Sequence, residues 1–131
     1  MIKSLTGAPA APARGVGGVA IVYAGDYINK LSGERIEREC RNQLEAGCRA
    51  IVVSFRNTEL VNSIGISILL GVIDLAEQAS ARLIFAGVNP HTHELFELLG
   101  LTRHVALADS EEDALSTLNE FNVFAPQPPG H

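Results

Sequence analysis

The feature that most constrains this chain is the run Ala50-Ile-Val-Val53, apolar at consecutive positions instead of alternate ones. A strand with one wet face alternates. A strand that is apolar on both sides must be covered on both faces, as a central strand of a parallel sheet is. The stretch Cys48 to Phe55 is therefore read as a buried strand, and Arg82 to Val88, with Leu-Ile-Phe-Ala-Gly-Val, as another. Between them, Ser63 to Ala79 is apolar nearly all round in its first three turns, which predicts a helix buried on most sides. Buried strands separated by such helices predict an α/β domain with crossovers and a largely parallel sheet.

The remaining elements follow the same alternation. Val19 to Ala24 is a strand ended by Gly25-Asp26. Ser32 is the expected cap of a helix reaching Ala46, with Ile36, Cys40 and Leu44 on one face and Gly47 as its C′ residue. Arg56 to Asn62 is polar and reads as a loop. Asn89-Pro90 opens a third helix, an Asn cap followed by Pro at the first helical position, which carries Leu95, Phe96, Leu98 and Leu99 and stops at Gly100. His104 to Ala108 is a short strand. Ser110 caps a last helix whose Glu111, Glu112 and Asp113 suit the positive N-terminal dipole, with Ala114, Leu115, Leu118 and Phe121 facing inward. The order is β-α-β-α-β-α-β-α over residues 19–121, one domain. Residues 1–18, rich in Ala, Pro and Gly, are expected to be a flexible segment with an edge strand at Met1 to Thr6. Residues 122–131 are expected to be a loose tail.

Composition narrows the chemistry. A net charge of −5 argues against an electrostatic footprint on nucleic acid or anionic lipid. Cys40 and Cys48 form no disulfide framework and lack zinc spacing, so both read as small buried hydrophobes in a reducing compartment. No signal peptide is evident, and the longest greasy stretch, Ile64 to Ala76, is too short to span a bilayer. The expectation is a cytoplasmic protein. There is no phosphate-binding loop and no nucleophile elbow, and Gly15-Val-Gly-Gly precedes a strand instead of following one. His91 and His93, two apart, would point in different directions on a helix and are read as surface residues. His104 is read as structural, and Glu37, Glu39, Asp74 and Glu77 as solvated helix faces. Nothing sets a nucleophile beside a base. No enzyme activity, cofactor or metal site is expected.

One place stands out. Asn62-Ser63-Ile64-Gly65 joins a loop to the N-terminus of the greasy helix, where backbone N–H groups lack intrahelical partners and carry partial positive charge. A hydroxyl there is either a cap contributing about 1 kcal/mol or an anchor for a phosphate. A phosphate on Ser63 would meet the N–H groups of Ile64, Gly65 and Ile66. Gly65, with no side chain, would leave the backbone open to a close-fitting partner.

At this point the chain resembles a known family. Glu59-Leu-Val-Asn-Ser-Ile-Gly-Ile-Ser-Ile-Leu-Leu-Gly71 is similar to the signature segment of STAS domains, which in anti-sigma-factor antagonists reads Asp-Ser-Ser/Thr-Gly-Leu-Gly followed by an apolar helix. Val19 to Gly25 with its Gly-Asp resembles the family's first main strand and its Gly-Glu-Leu-Asp turn. Val88-Asn-Pro-His-Thr-His-Glu-Leu-Phe-Glu-Leu-Leu-Gly-Leu101 resembles its Pro-x-x-x-x-x-Phe/Leu-x-x-x-Gly-Leu helix, and Asp109-Ser-Glu-Glu-Asp-Ala-Leu115 its closing Ser-x-x-x-Ala-Leu. The resemblance implies a mixed, mostly parallel sheet of four to five strands with about four helices. It implies partners, an anti-sigma factor that is often a serine kinase and a serine phosphatase, and a phosphoacceptor at Ser63. It also implies partner contacts at Asp26, Tyr27, Asn62, Ser63, Ile64, Gly65 and Asn89. The chain departs from the pattern where Asn62 replaces Asp, Ile64 replaces the second Ser/Thr, and Gly25-Asp26-Tyr27-Ile28 lacks the turn's last acid. Three functions follow in order: a phosphorylation-controlled binding module, a STAS subunit of another signalling or transport assembly that does not use phosphorylation, and a small enzyme or nucleotide-binding domain.

Overall fold

A computed structural model describes residues 18–120. The flexible segment and edge strand expected before residue 18, the loose tail at 122–131 and the inward Phe121 lie outside these residues. Four strands, β1 (Val19–Tyr23), β3 (Ala50–Ser54), β5 (Arg82–Ala86) and β6 (Ala106–Ala108), form one parallel sheet in the order β1-β3-β5-β6. All five residues of β3 are buried, as its unbroken apolar run requires. The polar stretch 56–62, expected as loop alone, also contributes β4 (Leu60–Val61). It pairs in parallel with β2 (Tyr27–Ile28) to make a separate two-stranded ribbon. Two residues give no periodicity to read, and both strands are placed by their neighbours.

The helices α1 (Lys30–Glu45), α2 (Ser63–Gln78), α3 (Pro90–Leu98) and α4 (Glu111–Glu120) complete the domain. One sheet face, through Ala20, Val22, Ile51, Val53, Leu83 and Phe85, meets Ile36 and Cys40 of α1, the inner stripe of α2 and Phe96 of α3. Its aromatic centre is Phe55, Phe85 and Phe96, with ring centroids 5.0–5.9 Å apart and tilted or edge-on. The opposite face, through Val19, Ala50, Val52, Ile84 and Ala86, is covered by Ala114 and Leu118 of α4. Burial pushes the Cys40 thiol up to about 12, helped by Glu39 and Glu37 and opposed by Arg35, so it stays protonated. Cys48 is half-buried, and both cysteines are free.

Local hydrogen bonding and burial correct several expectations and bear out one. Helix α1 is capped one turn earlier than Ser32. The Asn29 side chain accepts the Ser32 N–H at 3.0 Å while the Ser32 hydroxyl accepts the Asn29 N–H at 2.9 Å, a reciprocal capping box with Ser32 in its third position. At the other end Gly47 adopts φ +101° and donates to Leu44 O while Cys48 donates to Gln43 O, the Schellman pattern that places Gly at C′. Helix α2 is not buried on most sides: Gly65, Ile66, Leu69, Val72, Ile73 and Ala76 face inward, and Ile64, Ser67, Leu70 and Asp74 face out. Leu98 and Leu99 are also exposed, since the apolar side chains of α3 that reach the core are Phe96 and Leu95. Glu39 is not a solvated residue either. It pairs with Arg35 at 3.1 Å and keeps Oε1 buried without a hydrogen-bond partner among the described residues. His104 is exposed, 3.6 Å from Glu77, and plays no part in the core.

Candidate functional site

The sequence-predicted residues converge at the carboxyl ends of the strands, where the loops after β1, β3 and β5 emerge. Three sets of bonds knit these loops together. Arg35 reaches from α1 to donate to the carbonyls of Tyr23 (3.1 Å) and Ala24 (2.9 Å), fixing the exit of β1. Buried Thr58 donates its hydroxyl to the Gly25 carbonyl. The Asn89 amide donates to Thr58 O at 3.1 Å while its oxygen caps α3 by accepting the Thr92 N–H at 2.7 Å. Asn89 is thus committed at both ends of its amide, as a brace behind the site.

The ribbon then carries the chain to α2. Glu59 donates its N–H to Asp26 O at 2.8 Å and Asn62 to Ile28 O at 2.9 Å, which bracket the register Tyr27↔Leu60 and Ile28↔Val61. Asn62 is the N-cap of α2: its side chain accepts the Gly65 N–H at 2.7 Å and its carbonyl accepts the Ile66 N–H at 2.9 Å. Two of the three N–H groups expected to greet a phosphate on Ser63 are therefore already engaged. Those of Ser63 and Ile64 remain at the helix end. The other end of the Asn62 amide points to the Tyr27 hydroxyl, with Nδ2 at 3.3 Å. A carboxylate in that position would accept from Tyr27 and could not donate to it.

Gly65 is placed differently from its expected role. A Cβ there would lie 2.5 Å from the Ile28 carbonyl oxygen and 3.0 Å from its carbon, so α2 lies directly on the ribbon backbone and the space is already occupied. Gly65 is buried and presents nothing to a partner.

Ser63 is the first residue of α2 and is exposed, and its hydroxyl makes no hydrogen bond among the described residues. Capping, the structural role open to it, belongs to Asn62. Large apolar side chains stand exposed on the elements beside it: Tyr27 at 43%, Leu60 at 56% and Ile64 at 49%, with Leu31 in the first turn of α1. Scattered single exposures are ordinary, whereas these lie on paired and successive elements, Tyr27 opposite Leu60 in the ribbon and Ile64 in the helix that follows it. Sequence reasoning reached Asp26, Tyr27, Asn62, Ser63 and Ile64, which the ribbon brings together. It missed Leu60, hidden in a stretch read as polar loop, and Leu31 on a helix read only for its inner face. Among the described residues no group of three or more His, Cys, Asp or Glu side chains is placed to hold a metal, and no helix is long and apolar enough to cross a membrane.

Comparison with known proteins agrees with this fold. The family model described as the STAS domain matches residues 10–114. The chain is 26% identical over 102 residues to the anti-sigma F factor antagonist of Paenibacillus polymyxa, covering 77% of this chain and 87% of that one. The fold is similar to that of the Bacillus cell fate determinant SpoIIAA in its phosphorylated form, with TM-score 0.62, 19% identity and coverage of 77% and 91% of the two chains. It is likewise similar to the STAS domain of a SulP transporter from Vibrio cholerae, with TM-score 0.68, 17% identity and coverage of 86% and 88%.

Proposed function

The chain belongs to the STAS domain family, and from that premise we propose that it is an anti-sigma-factor antagonist. In this reading it binds an anti-sigma factor of the serine-kinase type through the surface around Ser63 and is released when Ser63 is phosphorylated. The observation that carries the reading is the free Ser63 hydroxyl, exposed on the first turn of α2 while Asn62 does the capping. The likeness to an anti-sigma F factor antagonist and to a phosphorylated SpoIIAA supports it.

The chemistry is local. Kinase transfer forms a bond between Ser63 Oγ and the γ-phosphorus of ATP and breaks the bond to the bridging oxygen, with ADP leaving and the hydroxyl proton passing to the kinase. The product carries about −1.5 to −2 charges at neutral pH. The positive end of α2 and the N–H groups of Ser63 and Ile64 stabilise it, so the domain keeps its shape. A partner seated on Tyr27, Leu60 and Ile64 must desolvate that charge, and the complex weakens. A partner serine phosphatase restores the hydroxyl.

The test is incubation with ATP and the anti-sigma-type serine kinases of its own source, followed by mass spectrometry. Phosphate on Ser63 is expected. Phosphate on exposed Ser67 instead would overturn the assignment. Ser54 is buried against Glu111 and Ser110 caps α4, so neither is a competitor without local opening.

A second reading rests on Asn62. The neutral amide that bridges the Gly65 N–H and Tyr27 stands where the antagonists carry an acid, and Ile64 stands where they carry a second hydroxyl. A STAS subunit that docks constitutively in another signalling or transport assembly needs the apolar surface but not the phosphoacceptor. No phosphate on any serine, together with capture of a partner that Tyr27→Ser or Ile64→Ser abolishes, would select this reading.

A further inference from the structure

Thr58 is a buried residue in an exposed stretch. It is 5% exposed, while Arg56, Asn57, Glu59 and Leu60 around it meet solvent. Its three polar groups go to three different turns. The N–H donates to Phe55 O at 2.9 Å and closes the turn that leaves β3. The hydroxyl donates to the Gly25 carbonyl in the turn after β1, where Gly25 takes φ +95°. The carbonyl accepts from the Asn89 amide in the turn after β5. The hydroxyl bond is also in step with the ribbon. One residue further along each segment, Glu59 N–H donates to Asp26 O, and the pairs Tyr27↔Leu60 and Ile28↔Val61 follow.

We propose that Thr58 is the positioning residue for the Tyr27–Leu60 half of the partner surface. A ribbon with two residues in each strand is marginal on its own and takes its stability from what holds its ends. The far end is pinned where α2 lies on Ile28 through Gly65. Strand β2 is held from α1 by Ser32, whose hydroxyl donates to Tyr27 O at 2.7 Å. The start of β4 is tied to the β2 side by the Thr58 hydroxyl, which continues the backbone ladder past its last rung. This bond keeps β4 in register, so that exposed Tyr27 and Leu60 stand side by side. Without it, the exposed Gly25 carbonyl turns to water and the Glu59–Asp26 bond becomes a fraying end. The effect on a partner rests on the proposed function, whereas the anchoring of the ribbon does not.

The experiment compares two variants of the full chain. Thr58→Val keeps the branched shape and removes the hydroxyl, and Thr58→Ser keeps the hydroxyl and removes the methyl. Amide hydrogen exchange of the free protein is read first. Thr58→Val should speed exchange at Glu59 and Asn62 by about tenfold or more relative to the amides of β3 and β5, and Thr58→Ser should not. Affinity for the anti-sigma serine kinase that binds the wild-type chain is read second. Its Kd should rise about fivefold or more for Thr58→Val and stay within about twofold for Thr58→Ser. Unchanged ribbon exchange in Thr58→Val would overturn the proposal. So would equal effects of the two variants, exchange that quickens alike in ribbon and core, or an unchanged Kd beside a loosened ribbon. If the wild-type chain binds no such kinase, the partner reading fails, and the anchoring role stands or falls on exchange alone.

Discussion

The two sides of α2 obey different rules within a single turn. On the inner side Gly65 sits against the Ile28 carbonyl, and Ile66, Leu69, Val72, Ile73 and Ala76 continue a buried stripe. On the outer side Ser63, Ile64, Ser67 and Leu70 meet solvent. A helix stabilised by burial needs only the first side. Ile64 and Leu70 on the second keep 49% and 41% of their surface exposed, and under the proposed function that surface serves a partner. Ser63 and Gly65 both belong to the segment that resembles the family signature, yet Gly65 serves the fold and the Ser63 hydroxyl makes no hydrogen bond among the described residues.

The largest effect belongs to the inner side. Gly65→Ala drives a methyl into a backbone carbonyl that cannot swing aside, and should cost about 3 kcal/mol. In a domain of this size that lowers the Tm by roughly 15 °C in a thermal melt. A loss under about 1 kcal/mol would show that α2 can lift off the ribbon, and the contrast between its sides would collapse.

Asn62→Ala comes next. It removes the acceptor for the Gly65 N–H and the donor to Tyr27, and should cost about 1 kcal/mol in urea unfolding. Asn62→Asp keeps the cap and adds a charge suited to the helix end, so it should recover that loss. If Asp proves as damaging as Ala, donation from the Asn62 amide to Tyr27 outweighs the cap.

The smallest effect on stability is expected on the outer side. Ile64→Ser should change unfolding free energy by less than about 0.5 kcal/mol, because the side chain is half exposed and lies outside the core. The same change should weaken partner capture. Stability loss as large as that of Asn62→Ala would make Ile64 a packing residue and shrink the proposed surface.

The unequal legibility of these regions has a physical cause. The sheet was readable because Ala50-Ile-Val-Val53 and Leu83-Ile-Phe85 must be covered on both faces whatever else happens. Gly47, Asn89-Pro90 and Ser110 mark helix ends through the chain's own local hydrogen bonds. The ribbon was not readable, because Tyr27–Ile28 and Leu60–Val61 are too short to show a period and pair across more than thirty residues. With the ribbon unseen, Gly65 looked open to solvent instead of seated on Ile28. The start of α1 was misplaced because Asn29 and Ser32 share one box, and either could be the cap. The outer face of α2 was mistaken for core because Ile64 and Leu70 are apolar, and composition cannot distinguish a residue kept for a partner from one buried in the fold.

The account turns on Ser63 being a switch without structural duty, and one paired measurement tests that directly. Melting temperature and affinity for the anti-sigma partner should be determined for the same preparation before and after stoichiometric phosphorylation of Ser63. The account predicts a Tm within about 3 °C, since the helix end offers the phosphate two free N–H groups and the dipole. It predicts a Kd raised more than tenfold, about 1.4 kcal/mol or more. Equal affinity in the two states, or a large fall in Tm that accounts for the lost binding, would contradict it.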